Sequence, residues 1–312
     1  MNHPQSQDGI LIIDKPADWT SHDVVAKLRG LLKTRRIGHT GTLDPFATGV
    51  LVICVNRATR LVQFLTADEK EYVATMRLGF ATDTGDLTGA QIGEVIDASH
   101  ITAADLEAVL PRFRGVIQQT PPMYSAKKIG GQKLYELARR GETVERAAVT
   151  LEIKELEVSS LAFRRNDSPA QDLPPEGGTT NSFTLRVVCS SGTYIRTLAE
   201  DIGKALNVGA HLTALRRTHA GRHTLEQAHT LEAVSEAVPQ LIPMRTALNF
   251  PEFTISDDER AALCNGKILQ REASAGFAQC VDPTGTLIAL VEYLTEKKGW
   301  QPRVVFHVQT DA

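Results

Sequence analysis

Cysteine is scarce in this 312-residue chain: Cys54, Cys189, Cys264 and Cys280 are the four present, and none forms a CxxC pair. Four are too few to staple a chain of this length, so they read as reduced, mostly buried thiols of a cytoplasmic protein. Long apolar runs are absent too. The longest, Val50–Val55, falls far short of the roughly 20 residues that span a bilayer. The polar opening MNHPQSQDG has no basic-then-apolar export pattern. Phosphate-binding motifs are missing, with no GxxxxGK(S/T) and no GxGxxG between a strand and a helix. No GxSxG elbow marks a nucleophilic serine. His219 and His223 lack suitable Cys or Glu company for a metal. A membrane partner, a nucleotide cofactor and a metal centre are therefore not expected.

An overall positive charge is lacking as well. Lys and Arg number 34 against 37 Asp and Glu, a net charge of −3. The charges are segregated, however. Pro111–Arg140 carries seven Lys/Arg against Glu136 alone, and Arg186–His223 carries six against Glu200 and Asp201. Lys27, Arg29, Lys33, Arg35 and Arg36 form a third cluster. Asp83–Glu107 balances them with six acids and no Lys or Arg. Such a surface can hold a polyanion on one face while the total stays near neutral. Any one cluster taken alone reads more simply as a solvated helix face.

What is present describes an ordinary globular protein, 42% apolar and 23% charged, long enough for about two domains. Gly9–Ile13 reads as a strand, and Thr20 or Ser21 as the cap of a helix carrying Val24, Val25, Leu28, Leu31 and Leu32 on one face. Tyr72, Ala74, Met76, Leu78 and Phe80 alternate, which puts Tyr72 on the apolar side of a strand. Thr102–Asp105 resembles a capping box, and Gly141 stops a short helix over Lys133–Arg140. A polar loop is expected over 166–181. Ser190–Thr193 opens a helix with Ile195, Leu198, Ala199, Ile202 and Leu206, followed by a strand over Ala210–Thr218. After Phe250 the pattern becomes a helix at Ser256 and strands over Gly276–Val281, Thr286–Tyr293 and Arg303–Val308. Sheet and helix mix without regular βαβ alternation, so the fold class expected is α+β with a small, mostly β tail.

The glycine-rich stretch Gly38–Gly49 precedes a strand rather than a helix, so no helix dipole points at it. Within it Asp44 sits between Leu43 and Pro45. Pro45 biases Asp44 toward extended backbone, and Gly41 and Gly49 permit close approach. A rigidly presented carboxylate fits this pattern; so does a plain Asp-Pro turn.

The stretch Gly38–Leu51, GHTGTLDPFATGVL, resembles the signature of the bacterial tRNA pseudouridine-55 synthase family. Four further blocks resemble that family in order: DKPADWTS at Asp14–Ser21, PPMYSAK at Pro121–Lys127 with LYELAR at Leu134–Arg139, SGTYIRTLA at Ser191–Ala199, and AHLTALRR at Ala210–Arg217. The resemblance covers roughly residues 9–223. It implies a mixed-sheet pseudouridine synthase catalytic domain over 1–248, with an RNA-binding insertion near 120–148. A PUA-like module over 249–312 is implied less strongly. It further implies that the chain acts on the T arm of tRNA as a cofactor-free monomer with no protein partner. The family's essential aspartate falls on Asp44. Its base-stacking tyrosine falls on Tyr72, its pocket tyrosine and arginine on Tyr194 and Arg196, and its pocket leucine on Leu215. His39 matches a histidine that enters the RNA loop as the target nucleotide leaves. Lys127, Lys128, Arg216 and Arg217 become candidates for the RNA backbone. Asn56 departs from the family's usual glycine and tolerates left-handed backbone best after it.

These residue types suit the chemistry the family performs. A uridine in a folded T loop must be flipped out before its N1 bond is cut and remade at C5. His39 would fill the gap, while Tyr72 and Leu215 would hold the base. The carboxylate would act at C1′ by attack, or at C2′ by taking a proton; Arg196 would favour its charged form. Tyr72 would also be placed to assist proton removal at C5. Two other readings compete. One is a non-catalytic tRNA-binding or folding module, which would have no need of Asp44, Tyr72 and Arg196 together. The other is a synthase acting on another RNA.

Overall fold

The computed structural model describes residues 8–125, 127–142, 144–159, 181–272 and 276–306. Of the loop expected over 166–181, only Asn181 lies among them.

The apolar run read as a strand becomes the spine of the main sheet. In chain order the elements that position the site are β1 Gly9–Lys15, α1 Ser21–Leu31, β2 Ile37–His39, β3 Thr48–Val55, β4 Lys70–Leu78 and β5 Gly115–Gln119. There follow α2 Leu134–Arg139, β6 Val149–Val158, β7 Ser182–Cys189, α3 Ile195–Ala205, β8 Ala210–Ala220 and β9 His223–Thr224. They make a nine-stranded sheet in the order β1-β3-β8-β4-β7-β6-β5, with β2 on β3 and β9 on β8. All pairings are antiparallel except β3 with β8, which meet in parallel at Thr48 and Gly49. There the β8 backbone passes so close that a Cβ on Gly49 would lie 2.2 Å from the Arg217 carbonyl oxygen. Gly49 also has φ +104°, so no other residue fits without shifting β8.

β3 is apolar throughout because both its faces are covered. Val50, Val52 and Cys54 pack with Leu61 and Leu65, while Leu51, Ile53 and Val55 pack with Val24, Val25 and Leu28 of α1. Thr20 caps α1 in a reciprocal box with Asp23. β4 alternates as its sequence does, with Tyr72, Ala74, Met76 and Leu78 buried against Ile195, Leu198 and Ile202 of α3. Asn56 adopts φ +55°, the left-handed geometry expected of it.

A second, four-stranded sheet follows: β10 Glu252–Thr254, β11 Phe277–Val281, β12 Leu287–Leu294 and β13 Gly299–Val305, with α4 Asp257–Cys264 capped by Ser256. Val281, Leu287, Leu290, Val304 and Phe306 share one apolar cluster with Ile10, Val50 and Val52. The tail thus packs directly on the back of β1 and β3. Its last strand begins four residues earlier than the expected Arg303, because Gly299 and Trp300 pair with Leu294 and Tyr293 across a tight turn. The glycine-rich stretch is also more ordered at its start than a loop reading allows, since Ile37–His39 pairs with Ile53–Val55 as β2.

Candidate active site

Asp44 lies in the connection between β2 and β3, and its flanking peptides are fixed on both sides. Ser21 Oγ, at the start of α1, accepts from Leu43 N at 2.9 Å. The Pro45 carbonyl accepts from Asp18 N at 2.9 Å and from Lys15 Nζ at 3.1 Å. Lys15 is fully buried and also donates to Pro16 O and Trp19 O. Burial pushes its amine down to about 8. The block Asp14–Ser21 therefore acts as a brace for Asp44.

The brace holds the carboxylate against α3. Arg196 Nε donates to Asp44 Oδ2 at 2.9 Å, and Nη2 to Oδ1 at 3.0 Å, a bidentate pair. The guanidinium also donates to Thr84 O and Tyr124 O, both at 2.7 Å. Its side chain is 4% exposed, whereas that of Asp44 is 33% exposed. Arg196 is thus a buried anchor, and Asp44 is the partner left open to react. Burial pushes the Asp44 carboxyl up from the ordinary aspartate value, and the Arg196 guanidinium opposes that shift.

Asp44 and Arg196 open onto a cavity of about 250 Å³ whose walls include Tyr72, Tyr194, Leu215 and Arg217. This is below the roughly 300–1,000 Å³ of a drug-sized site and suits a single flat group. Tyr72 comes from β4, Leu215 from β8 and Tyr194 from the start of α3. Burial raises the Tyr72 phenol, so it stays neutral at neutral pH. His39, at the end of β2, is not part of this lining, which begins at the next residue, Thr40. Its Nδ1 accepts from Gly41 N at 3.3 Å, and its ring meets His22 edge to face at 5.5 Å. Burial pushes its imidazole down to about 4, so it too is neutral at pH 7.

The structure places the two arginines on β8 differently. Their side chains alternate across the strand. Arg217 is 2% exposed and donates to Val50 O at 2.7 Å and Gly41 O at 3.1 Å, so it forms part of the cavity wall. Arg216 faces the other way and forms a bidentate pair with Asp14 at 2.7 and 3.0 Å. Lys127 precedes, and Lys128 opens, the hairpin that Gly130 and Gly131 turn ahead of α2. Sequence reasoning misses Asp86. It is 5% exposed, accepts from Thr84 Oγ1, Thr88 N and Thr88 Oγ1, and its Oδ2 stands 3.7 Å from Arg196 Nη1. Its only sequence mark is membership of the acidic stretch after Asp83.

A carboxylate clamped by a buried guanidinium stands here beside a neutral aromatic ring and an aliphatic wall, an arrangement that suits a flat group with polar edges. The family model described as "TruB family pseudouridylate synthase (N terminal domain)" matches residues 29–195. This chain belongs to the TruB family. The models "tRNA pseudouridylate synthase B C-terminal domain" and "tRNA Pseudouridine synthase II, C terminal" match 196–246 and 250–307. The tRNA pseudouridine synthase B of Thermobifida fusca is 46% identical over 96% of this chain and 98% of its own. That of Streptomyces avermitilis is 44% identical over 95% of each chain. Among solved structures, a chain of an H/ACA RNP bound to a substrate RNA containing 2′-deoxyuridine superposes with a TM-score of 0.68. It is 25% identical, over 97% of this chain and 86% of that one. The α+β class and the small β tail agree with this membership.

Proposed function

We propose that this chain isomerises uridine 55 in the T loop of tRNA to pseudouridine, with no cofactor. One observation carries the reading: the Asp44–Arg196 bidentate pair faces a base-sized cavity walled by Tyr72 and Leu215. The uridine flips into this cavity and stacks on Tyr72, a contact worth about 1–3 kcal/mol. Asp44, aimed by Arg196, whose guanidinium favours the charged carboxylate, acts at C1′ or C2′ to free the base at N1. The base then turns and C5 bonds to C1′; the C5 proton leaves to solvent and N1 takes one up, so the isomerisation balances without a co-reactant. His39, neutral and one residue before the cavity wall at Thr40, occupies the gap left in the RNA loop. Tyr194 closes the cavity at the α3 end.

The phosphate-binding face is Lys27, Arg29, Lys33, Arg35 and Arg36, joined by Lys127 and Lys128 from the insertion. The chain acts alone as a monomer in the cytoplasm, with the catalytic domain over 1–248 and the module over 249–312. Tritium release from unmodified tRNA labelled at uridine C5 tests the substrate. One equivalent per tRNA is expected from wild-type tRNA and none from a transcript with cytidine at position 55. Release from that transcript, or none from either, would overturn the assignment.

A further inference from the structure

Helix α3 begins at Tyr194, which caps it with no side-chain hydrogen bond of its own, and no acidic residue lies in its first turn. A helix start leaves backbone N–H groups without partners. Here one partner comes from another strand. Gln119, the last residue of β5, is 2% exposed. Its Oε1 accepts from Tyr194 N at 2.8 Å, and its Nε2 donates to Tyr194 O at 3.0 Å. One side-chain amide therefore grips both polar groups of Tyr194, as a ladder partner would in a sheet. Only one orientation of the amide satisfies both bonds.

Tyr194 lines the cavity, and Arg196 is two residues further on. The chain leaving Gln119 makes a second contact on the same helix start, where Tyr124 O accepts from Arg196 Nη2 at 2.7 Å. Gln119–Tyr124 is also the segment that leads into the basic insertion. Two grips, five residues apart, thus fix Tyr194 and the guanidinium from the root of that insertion.

We infer that Gln119 is a positioning residue for the isomerisation: it holds the Tyr194 peptide so that Arg196 presents Asp44 to the flipped uridine. It touches neither base nor sugar. The inference rests on the isomerase reading above. Its effect belongs in the chemical step, because a displaced guanidinium misaims the carboxylate without altering the phosphate contacts.

The test is single-turnover tritium release beside tRNA binding, for wild type, Gln119→Met and Gln119→Glu. Methionine keeps the length and removes both bonds; glutamate keeps the acceptor and removes the donor. Gln119→Met is expected to lower the single-turnover rate at least tenfold with Kd for tRNA within twofold. Gln119→Glu should lose rate also, and it carries the test if Gln119→Met fails to fold. Gln118→Met, next on the strand and exposed, should leave both quantities unchanged. A folded Gln119 variant with wild-type rate would overturn the inference and leave the isomerase reading standing. Rate and affinity falling together, in step with a lowered Tm, would also overturn it, because that marks general destabilisation. No release from wild type would remove the isomerase reading and this inference with it.

Discussion

The cations between Arg186 and Arg217 are tied to partners within the molecule, whereas those between Lys27 and Arg36 face solvent. In sequence the two stretches look alike. In the structure Arg186 pairs with Glu71, Glu155 and Glu157, Arg196 with Asp44, Lys204 with Asp201, and Arg216 with Asp14. Arg217 is buried among carbonyls. Lys27, Arg29, Lys33, Arg35 and Arg36 are exposed and form no ion pair among the described residues. A count of charge therefore misjudges where a polyanion can bind. Arg196 and Arg217 of the first stretch line the cavity, and the second stretch is left open to solvent.

Substitutions can break this comparison, and the largest effect is expected at Arg196. Lysine keeps the charge but cannot make the bidentate contact or reach both carbonyls. Arg196→Lys should lower the single-turnover rate by roughly a hundredfold or more, with tRNA affinity nearly unchanged. Equal loss of rate and affinity would place Arg196 with the RNA-binding cations instead. Arg217→Met comes next and should act on stability. It strands the Val50 and Gly41 carbonyls, at a cost of about 3 kcal/mol readable by thermal or urea unfolding. The salt dependence of tRNA binding should not move; a shallower slope would return Arg217 to the phosphate-binding set.

Arg35→Ala with Arg36→Ala should do the reverse. Unfolding should stay put, and the slope of log affinity against log salt should become shallower by about 1 for each phosphate no longer engaged. The rate at saturating tRNA should hold. The smallest effect concerns pH. His39 is pushed down to about 4 from an ordinary 6.5. Between those values the unfolded chain binds a proton that the folded site refuses. His39 stability is therefore complete above pH 6.5 and is lost as pH falls toward 4. The stability gap between wild type and His39→Gln should shrink on acidification from pH 7 to 5, by on the order of 1 kcal/mol. A constant gap would mean that the imidazole is as free to charge as in the unfolded chain.

The frame around Asp44 is legible in the sequence because its signals are local. The Thr20 cap, the Tyr72 alternation and the apolar face of the helix carrying Ile195, Leu198 and Ile202 each follow from spacing within a few residues, although that helix is capped by Tyr194 and not by Ser190–Thr193. Partner choice is not legible. Arg196 reaches Asp44, Thr84 and Tyr124 across long stretches of chain, and nothing near Asp86 marks it as the acid beside that guanidinium. The different fates of Arg216 and Arg217 are half legible. Strand period alone puts neighbours on opposite faces, and Leu215 already fixes which face is inward. β2 escapes a sequence reading because a three-residue strand with a glycine at its centre carries no alternation.

The proposed isomerisation turns on Asp44, clamped by Arg196. Its most direct measurement is C5 tritium release by Asp44→Asn beside wild type, with tRNA binding measured on the same samples. Asparagine keeps the shape and removes the charge. The variant is expected to fold, to bind tRNA as wild type does and to release no tritium in a single turnover. Release at the wild-type rate would contradict this and move the chemistry away from Asp44.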